Sequence, residues 1–176
     1  MKKTLQFIVL IFSFVFTANA QEKSDIFDIA RKGTIEQAKE LVKLNPKIVD
    51  ETNKDGFTAL ILACYRGNNE VAKFLIEKGS NINGNSDMGT PLMASVVKGN
   101  NEMATFLIEK KANVNLADAN GMTALIYSVQ FQNTAILELL LKNKVDPSQK
   151  DRQGKTAFEY AAFSGNEKII NLLKSN

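Results

Sequence analysis

Four threonines, Thr58, Thr90, Thr123 and Thr156, follow one another at intervals of 32, 33 and 33 residues, and their surroundings repeat with them. The local sequences are Asp55-Gly56-Phe57-Thr58-Ala59-Leu60, Met88-Gly89-Thr90-Pro91-Leu92, Asn120-Gly121-Met122-Thr123-Ala124-Leu125 and Gln153-Gly154-Lys155-Thr156-Ala157-Phe158. Nine residues after each threonine stand Gly67, Gly99, Gln132 and Gly165; twenty-one after the first three stand Gly79, Lys111 and Lys144. A unit of this length is a supersecondary structure too small to bury its own apolar face. Stacking of successive units is what builds the core.

The chemistry of one unit fixes its local fold. Thr58 can cap a helix by accepting a bond from a backbone N–H two or three residues on. Ala59, Leu60, Ala63 and Cys64 then offer a small-residue face for close helix approach. Gly67 supplies the positive φ that ends this helix, and Asn68 to Glu70 begin the next. Val71, Phe74, Leu75 and Ile76 continue at helical apolar spacing. Equivalent faces return as Met103, Phe106, Leu107, Ile108, as Ile136, Leu139, Leu140, Leu141 and as Ile169, Ile170, Leu172, Leu173. Gln132, where the other units carry glycine, is expected to cost on the order of 1 kcal/mol if its φ is positive.

The pattern resembles the ankyrin repeat, with its glycine turn, Thr-Pro-Leu-His segment, paired short helices and Gly-Ala-x-x-Asn exit. The last is echoed by Gly79 to Asn83, Lys111 to Asn115 and Lys144 to Ser148. The resemblance covers residues 24–176 and implies an all-α solenoid of helix-turn-helix units with short hairpin-like loops. About five repeats are expected: caps at 24–53 and 151–176 and internal repeats at 54–84, 85–117 and 118–150. In the first cap Ser24 takes the threonine position and Gly33 follows nine residues later. Lys168, Asn171 and Lys174 would give the last cap a polar outer face. The family's histidine is replaced by Ile61, Met93, Ile126 and Glu159, and its proline survives as Pro91. These losses predict repeats less stable than consensus ones.

Residues 1–20 read as a secretory signal peptide of bacterial appearance. Lys2 and Lys3 form a basic start, Leu5 to Thr17 is apolar apart from Gln6, Ser13 and Thr17, and Ala18-Asn19-Ala20 precedes a cleavage point between Ala20 and Gln21. The apolar run is shorter than the roughly 20 residues needed to span a bilayer, so no stable membrane insertion is expected after cleavage. The mature domain would be 21–176, exported to the periplasm or, alternatively, secreted. Two of the 22 basic side chains and none of the 19 acidic ones lie in the leader, so the remainder is nearly neutral at +1. That balance argues against nucleic-acid binding.

Composition also narrows the chemistry. The chain has no histidine and one cysteine. This rules out Ser-His-Asp and Cys-His machinery, His-ligated metal and an intramolecular disulfide. Cys64 sits at a small-residue helix position and reads as a buried alanine substitute. Glu70, Glu102, Glu138 and Glu167 recur with the repeat as a solvated face. No catalytic residue, cofactor site or metal site is expected.

Binding is where the sequence points. The resemblance implies recognition of a protein partner by the hairpin tips and the exposed edge of the first helix in each pair. Candidate contacts are Phe57, Met88, Met122 and Arg152 at the tips, and Tyr65, Arg66, Lys98, Phe131 and Phe163 on the helix edge. Aromatic and arginine side chains are the usual anchors of protein interfaces. Packing between repeats is the alternative for any one of them. The expectation is an exported, non-enzymatic binding module, monomeric when unbound. An inhibitor, immunity or protective accessory role toward an extracytoplasmic enzyme or toxin is the alternative, and an enzyme is the least supported.

Overall fold

The computed structural model describes residues 25–175. These form ten α-helices in five pairs. The pairs are α1 Ile26–Lys32 with α2 Ile35–Leu44, α3 Ala59–Arg66 with α4 Asn69–Glu77, α5 Pro91–Lys98 with α6 Asn101–Glu109, α7 Ala124–Gln130 with α8 Thr134–Leu141, and α9 Ala157–Ser164 with α10 Glu167–Lys174. A single 3-10 turn, Pro46–Asp50, follows α2. The first helices stack in chain order, α1 on α3, α3 on α5, α5 on α7 and α7 on α9.

Each recurring position has a physical task. Thr58, Thr90, Thr123 and Thr156 accept from the N–H of Ile61, Met93, Ile126 and Glu159 at 3.2, 3.3, 3.2 and 3.3 Å. The residues in the family's histidine position therefore contribute their backbone to the cap. In the last repeat Glu159 also accepts from the Thr156 N–H, completing a capping box. Five residues after each threonine stand Ala63, Ser95, Ser128 and Ala161, all fully buried. This row of small side chains lets the stacked helices approach. The hydroxyls of Ser95 and Ser128 donate to carbonyls of their own helices, Pro91 at 2.9 Å and Leu125 at 2.7 Å, so no polar group is stranded there.

The second helices of the third and fourth pairs are each preceded by an asparagine that serves two repeats at once. Asn100 and Asn133 accept from Met103 and Ile136 N–H at 3.1 Å each, capping α6 and α8. Their amide groups donate backward to Asn69 Oδ1 at 2.6 Å and Asn101 Oδ1 at 2.9 Å. On the opposite edge, Asn113 N–H donates to Asn83 Oδ1 at 2.8 Å and Asp146 N–H to Asn115 Oδ1 at 2.7 Å. Two polar ladders thus fix the register of repeat on repeat.

Gln132 has φ 52°, and Lys111 and Lys144 have φ 69° and 59°, so side-chain-bearing residues occupy left-handed turns that Gly79, Gly99 and Gly165 fill elsewhere. The first cap departs from the threonine-and-glycine pattern. Ser24 lies outside the described residues, and Asp25 caps α1, accepting from Asp28 N–H at 2.7 Å. Gly33 is extended (φ −88°, ψ −178°), since α2 has its own capping box from Thr34 and Gln37. Glycine is needed there for space: a Cβ would lie 2.7 Å from Ile29 Cα. The proposed leader, with Ala20 and Gln21, also lies outside the described residues.

Candidate protein-binding groove

A groove of about 460 Å³ runs between the hairpin tips and the exposed edges of α3, α5 and α7. Leu62 and Ala94, each four residues after its capping threonine, lie on its floor. The equivalent residue is Tyr127 in the fourth pair and Tyr160 in the fifth, so the third pair carries the smallest side chain at this position. Val97, on the same face, is likewise smaller than its counterpart Tyr65.

The third tip is also one residue short. Four residues separate the tip-opening Asn53, Asp118 and Asp151 from their threonines, whereas three separate Ser86 from Thr90. The deleted position is the one held by Phe57 and Met122, between glycine and threonine. Its loss accounts for the single 32-residue interval and leaves the space above Ala94 open. The hollow is therefore made by what the third repeat lacks, and it is walled by what its neighbours keep.

Phe57, Tyr65 and Arg66 line one wall, Tyr127 and Phe131 the other, and Met88 the tip. Tyr65, Met88 and Phe131 are 51%, 66% and 52% exposed, large apolar surfaces with no covering element among the described residues. The Tyr127 and Phe131 rings stack with centroids 6.4 Å apart. Tyr127 is anchored from below by Asp118, whose Oδ2 accepts from the Tyr127 hydroxyl. Burial, and then that carboxylate, hold the Tyr127 hydroxyl pKa above its ordinary value. This wall is thus neutral and preorganised.

Among the sequence-derived candidates, the groove gathers Phe57, Tyr65, Arg66, Met88 and Phe131. Lys98 is exposed on the rim beside Val97. Arg152 lines a separate hollow with Tyr127 and Tyr160, and Phe163 is 95% exposed on α9 beyond the groove. Met122 departs from expectation: it is buried, 7% exposed. The fourth and fifth tips are clasped together by the bond from Arg152 N–H to the Asn120 carbonyl, 2.9 Å. Gly121 packs so closely on Asp151 that a Cβ would lie 2.9 Å from Asp151 Cα. Sequence reasoning missed Arg31, Ile61, Leu62, Ala94 and Tyr127, which also line the groove. The small residue at Ala94 and the short tip were the available signals.

Within the described residues no group of His, Cys, Asp and Glu could hold a metal ion. Cys64 is fully buried and its thiol pKa is pushed up to about 12 by desolvation, the opposite of what a nucleophile needs. No helix among these residues is long and apolar enough to cross a membrane.

A family profile described as ankyrin repeats (3 copies) matches residues 26–118 and 110–176. The chain belongs to the ankyrin-repeat family. Members of this family generally mediate protein–protein interaction and are generally non-enzymatic. Among curated proteins, the acyl-CoA-binding domain-containing protein 6 homolog of Dictyostelium discoideum is 50% identical over 48 residues, covering 27% of this ankyrin chain and 17% of that protein. The human 26S proteasome non-ATPase regulatory subunit 10 is 33% identical over 64 residues, 36% of this chain and 28% of that protein. A mouse protein fem-1 homolog A-like is 37% identical over 41 residues, 23% of this chain and 6% of its own length. The ankyrin chain thus spans well under a third of each of these relatives.

Proposed function

We propose that the protein is an exported, non-enzymatic binding module that holds a partner protein in the groove between Phe57, Tyr65, Met88 and Phe131. The supporting observation is the groove itself: an apolar hollow with aromatic walls, left uncovered within a family whose members generally bind proteins. Aromatic and arginine side chains around an apolar pocket match the composition of interface hot spots. One matched relative is named as a regulatory subunit of a larger assembly.

The basic start, apolar run and Ala18-Asn19-Ala20 site support export to the periplasm, with secretion as the variant. Unbound, the protein is proposed to be monomeric. The test is affinity capture and crosslinking from an envelope extract with the protein and with a Tyr65→Ala/Phe131→Ala double variant. The expected result is a partner lost in the double variant while thermal unfolding is nearly unchanged, since both side chains are about half exposed. A large drop in stability would make them core residues and refute the reading. Full-length cytoplasmic protein on fractionation would refute export.

A further inference from the structure

The charge around the groove is uneven, and that asymmetry bears on the occupant. Its lining contains two cations, Arg31 and Arg66, and no carboxylate. Arg31 is paired with Asp28 at 3.2 Å, but Arg66 and Lys98 have no ion-pair partner among the described residues. The two lie on the same rim, because Lys98 Cε comes within 3.7 Å of where a Cβ on Gly67, next to Arg66, would be. Immediately before Gly33, Gly67 and Gly99, at the ends of α1, α3 and α5, stand Lys32, Arg66 and Lys98, whereas Phe131 and Ser164 precede Gln132 and Gly165 at the matching positions after α7 and in α9. The nearby acids Asp55 and Asp87 sit at the tips, across the groove from this rim. Basic residues in the last turn of a helix also favour its dipole. A helix dipole alone would not leave the last two repeats without them.

We propose that the occupant is a partner's peptide segment carrying an aromatic or large aliphatic side chain for the hollow above Ala94 and carboxylates beside it for Arg66 and Lys98. This rests on the reading of the groove as a protein-binding face. The apolar hollow supplies affinity, while the unpaired cations select an acidic sequence and speed its encounter.

The experiment is selection of a displayed library of short random peptides on the immobilised full chain, followed by affinity measurement on the selected peptides. The expected peptides combine one large apolar residue with nearby Asp or Glu, and their affinity falls as salt is raised. Ala94→Phe, which fills the hollow, should weaken them by about tenfold or more. Ala94→Leu, which copies Leu62 in the neighbouring repeat, should weaken them in the same direction and covers the case in which the larger variant fails to fold. Arg66→Glu with Lys98→Glu should invert the selected charge from acidic to basic. Peptides lost in the Tyr65→Ala/Phe131→Ala variant but indifferent to charge reversal would overturn the acidic class and leave protein binding standing. Binding unaffected by either Ala94 variant would overturn the anchor. A concentration-dependent dimer dispersed by Ala94→Leu would make a second copy the occupant and overturn the proposal. If neither peptides nor a crosslinked partner engage the groove, both readings fall.

Discussion

The Tyr127 hydroxyl donates to Asp118 Oδ2 at 2.6 Å, tying the wall of the groove to the turn that forms the hairpin tip. Asp118 Oδ1 at the same time accepts from the N–H of Asn120 and Met122 at 2.7 and 3.0 Å. One carboxylate therefore shapes the tip and aims the ring. Tyr160 and Asp151 repeat the arrangement one unit later, at 2.5 Å. Tyr127→Phe should cost about 1.5 kcal/mol, the low end for a hydrogen bond to a charged group, because the pair is only partly buried. Asp118→Ala, which strands two backbone donors as well, should cost about 2–4 kcal/mol. Urea unfolding of the two variants checks the order; equal losses would mean that the carboxylate acts through Tyr127 alone.

The left-handed residues offer the opposite sign. Lys111 and Lys144, at φ 69° and 59°, occupy a conformation that costs a side-chain-bearing residue about 1–2 kcal/mol. Replacement by glycine recovers that strain but enlarges the unfolded ensemble, leaving a net gain of about 0.5–1 kcal/mol for each. The thermal midpoint should rise by about 1–4 °C per substitution.

Stability should decline on the alkaline side. Burial pushes the Cys64 thiol from its ordinary 9.0 up to about 12, so the unfolded chain releases the proton first. The contribution is complete below pH 9 and is lost as pH rises toward 12. Tyr127 adds the same sign from its ordinary value of 10.0 upward. Cys64→Ala should flatten the first part of this limb in chemical denaturation measured across pH. In native protein the thiol should also resist alkylation until the chain unfolds.

Acid should loosen the C-terminal repeat. The Tyr160 hydroxyl and the Lys155 N–H hold the Asp151 carboxyl below its ordinary 3.8, and the Thr156 N–H does the same for Glu159, whose ordinary value is 4.5. Both contributions are present above those ordinary values and are lost as pH falls through the depressed folded ones. Hydrogen exchange at about pH 3 should show α9 and α10 opening before α3 to α6. Asp151→Asn should weaken the pH dependence of that opening.

The stack was legible because its signals are local. A threonine cap, a left-handed turn and an apolar helix face each depend on a few adjacent residues, so Thr58 or Gln132 can be read without knowing its neighbours in space. The groove was only partly legible because exposure at a tip depends on the next tip. Phe57 is half-buried and reaches the groove, since the third tip is short; Met122, at the same position in its repeat, is covered by the fifth pair's tip at Asp151 and Arg152. Tyr127 was missed because a residue four after the cap lies on a packed face in sequence terms. It reaches the groove only because Ala94 beside it is small.

The short third tip has a consequence for how binding could be redirected. The polar ladders that hold the register run through Asn83, Asn100, Asn113 and Asn133. The third tip adds one tie of its own, from the Ala119 N–H to the Asp87 carbonyl at 3.2 Å, and the segment from Met88 to Thr90 lies outside both ladders. A change of tip length on the Gly89 side of Asp87 can therefore leave that tie and the ladders in place. Inserting one bulky residue between Gly89 and Thr90 would restore the missing partition and divide the open hollow into two shallow compartments. On the proposed function, ligand choice would be set by chain length at one hairpin as much as by side-chain identity.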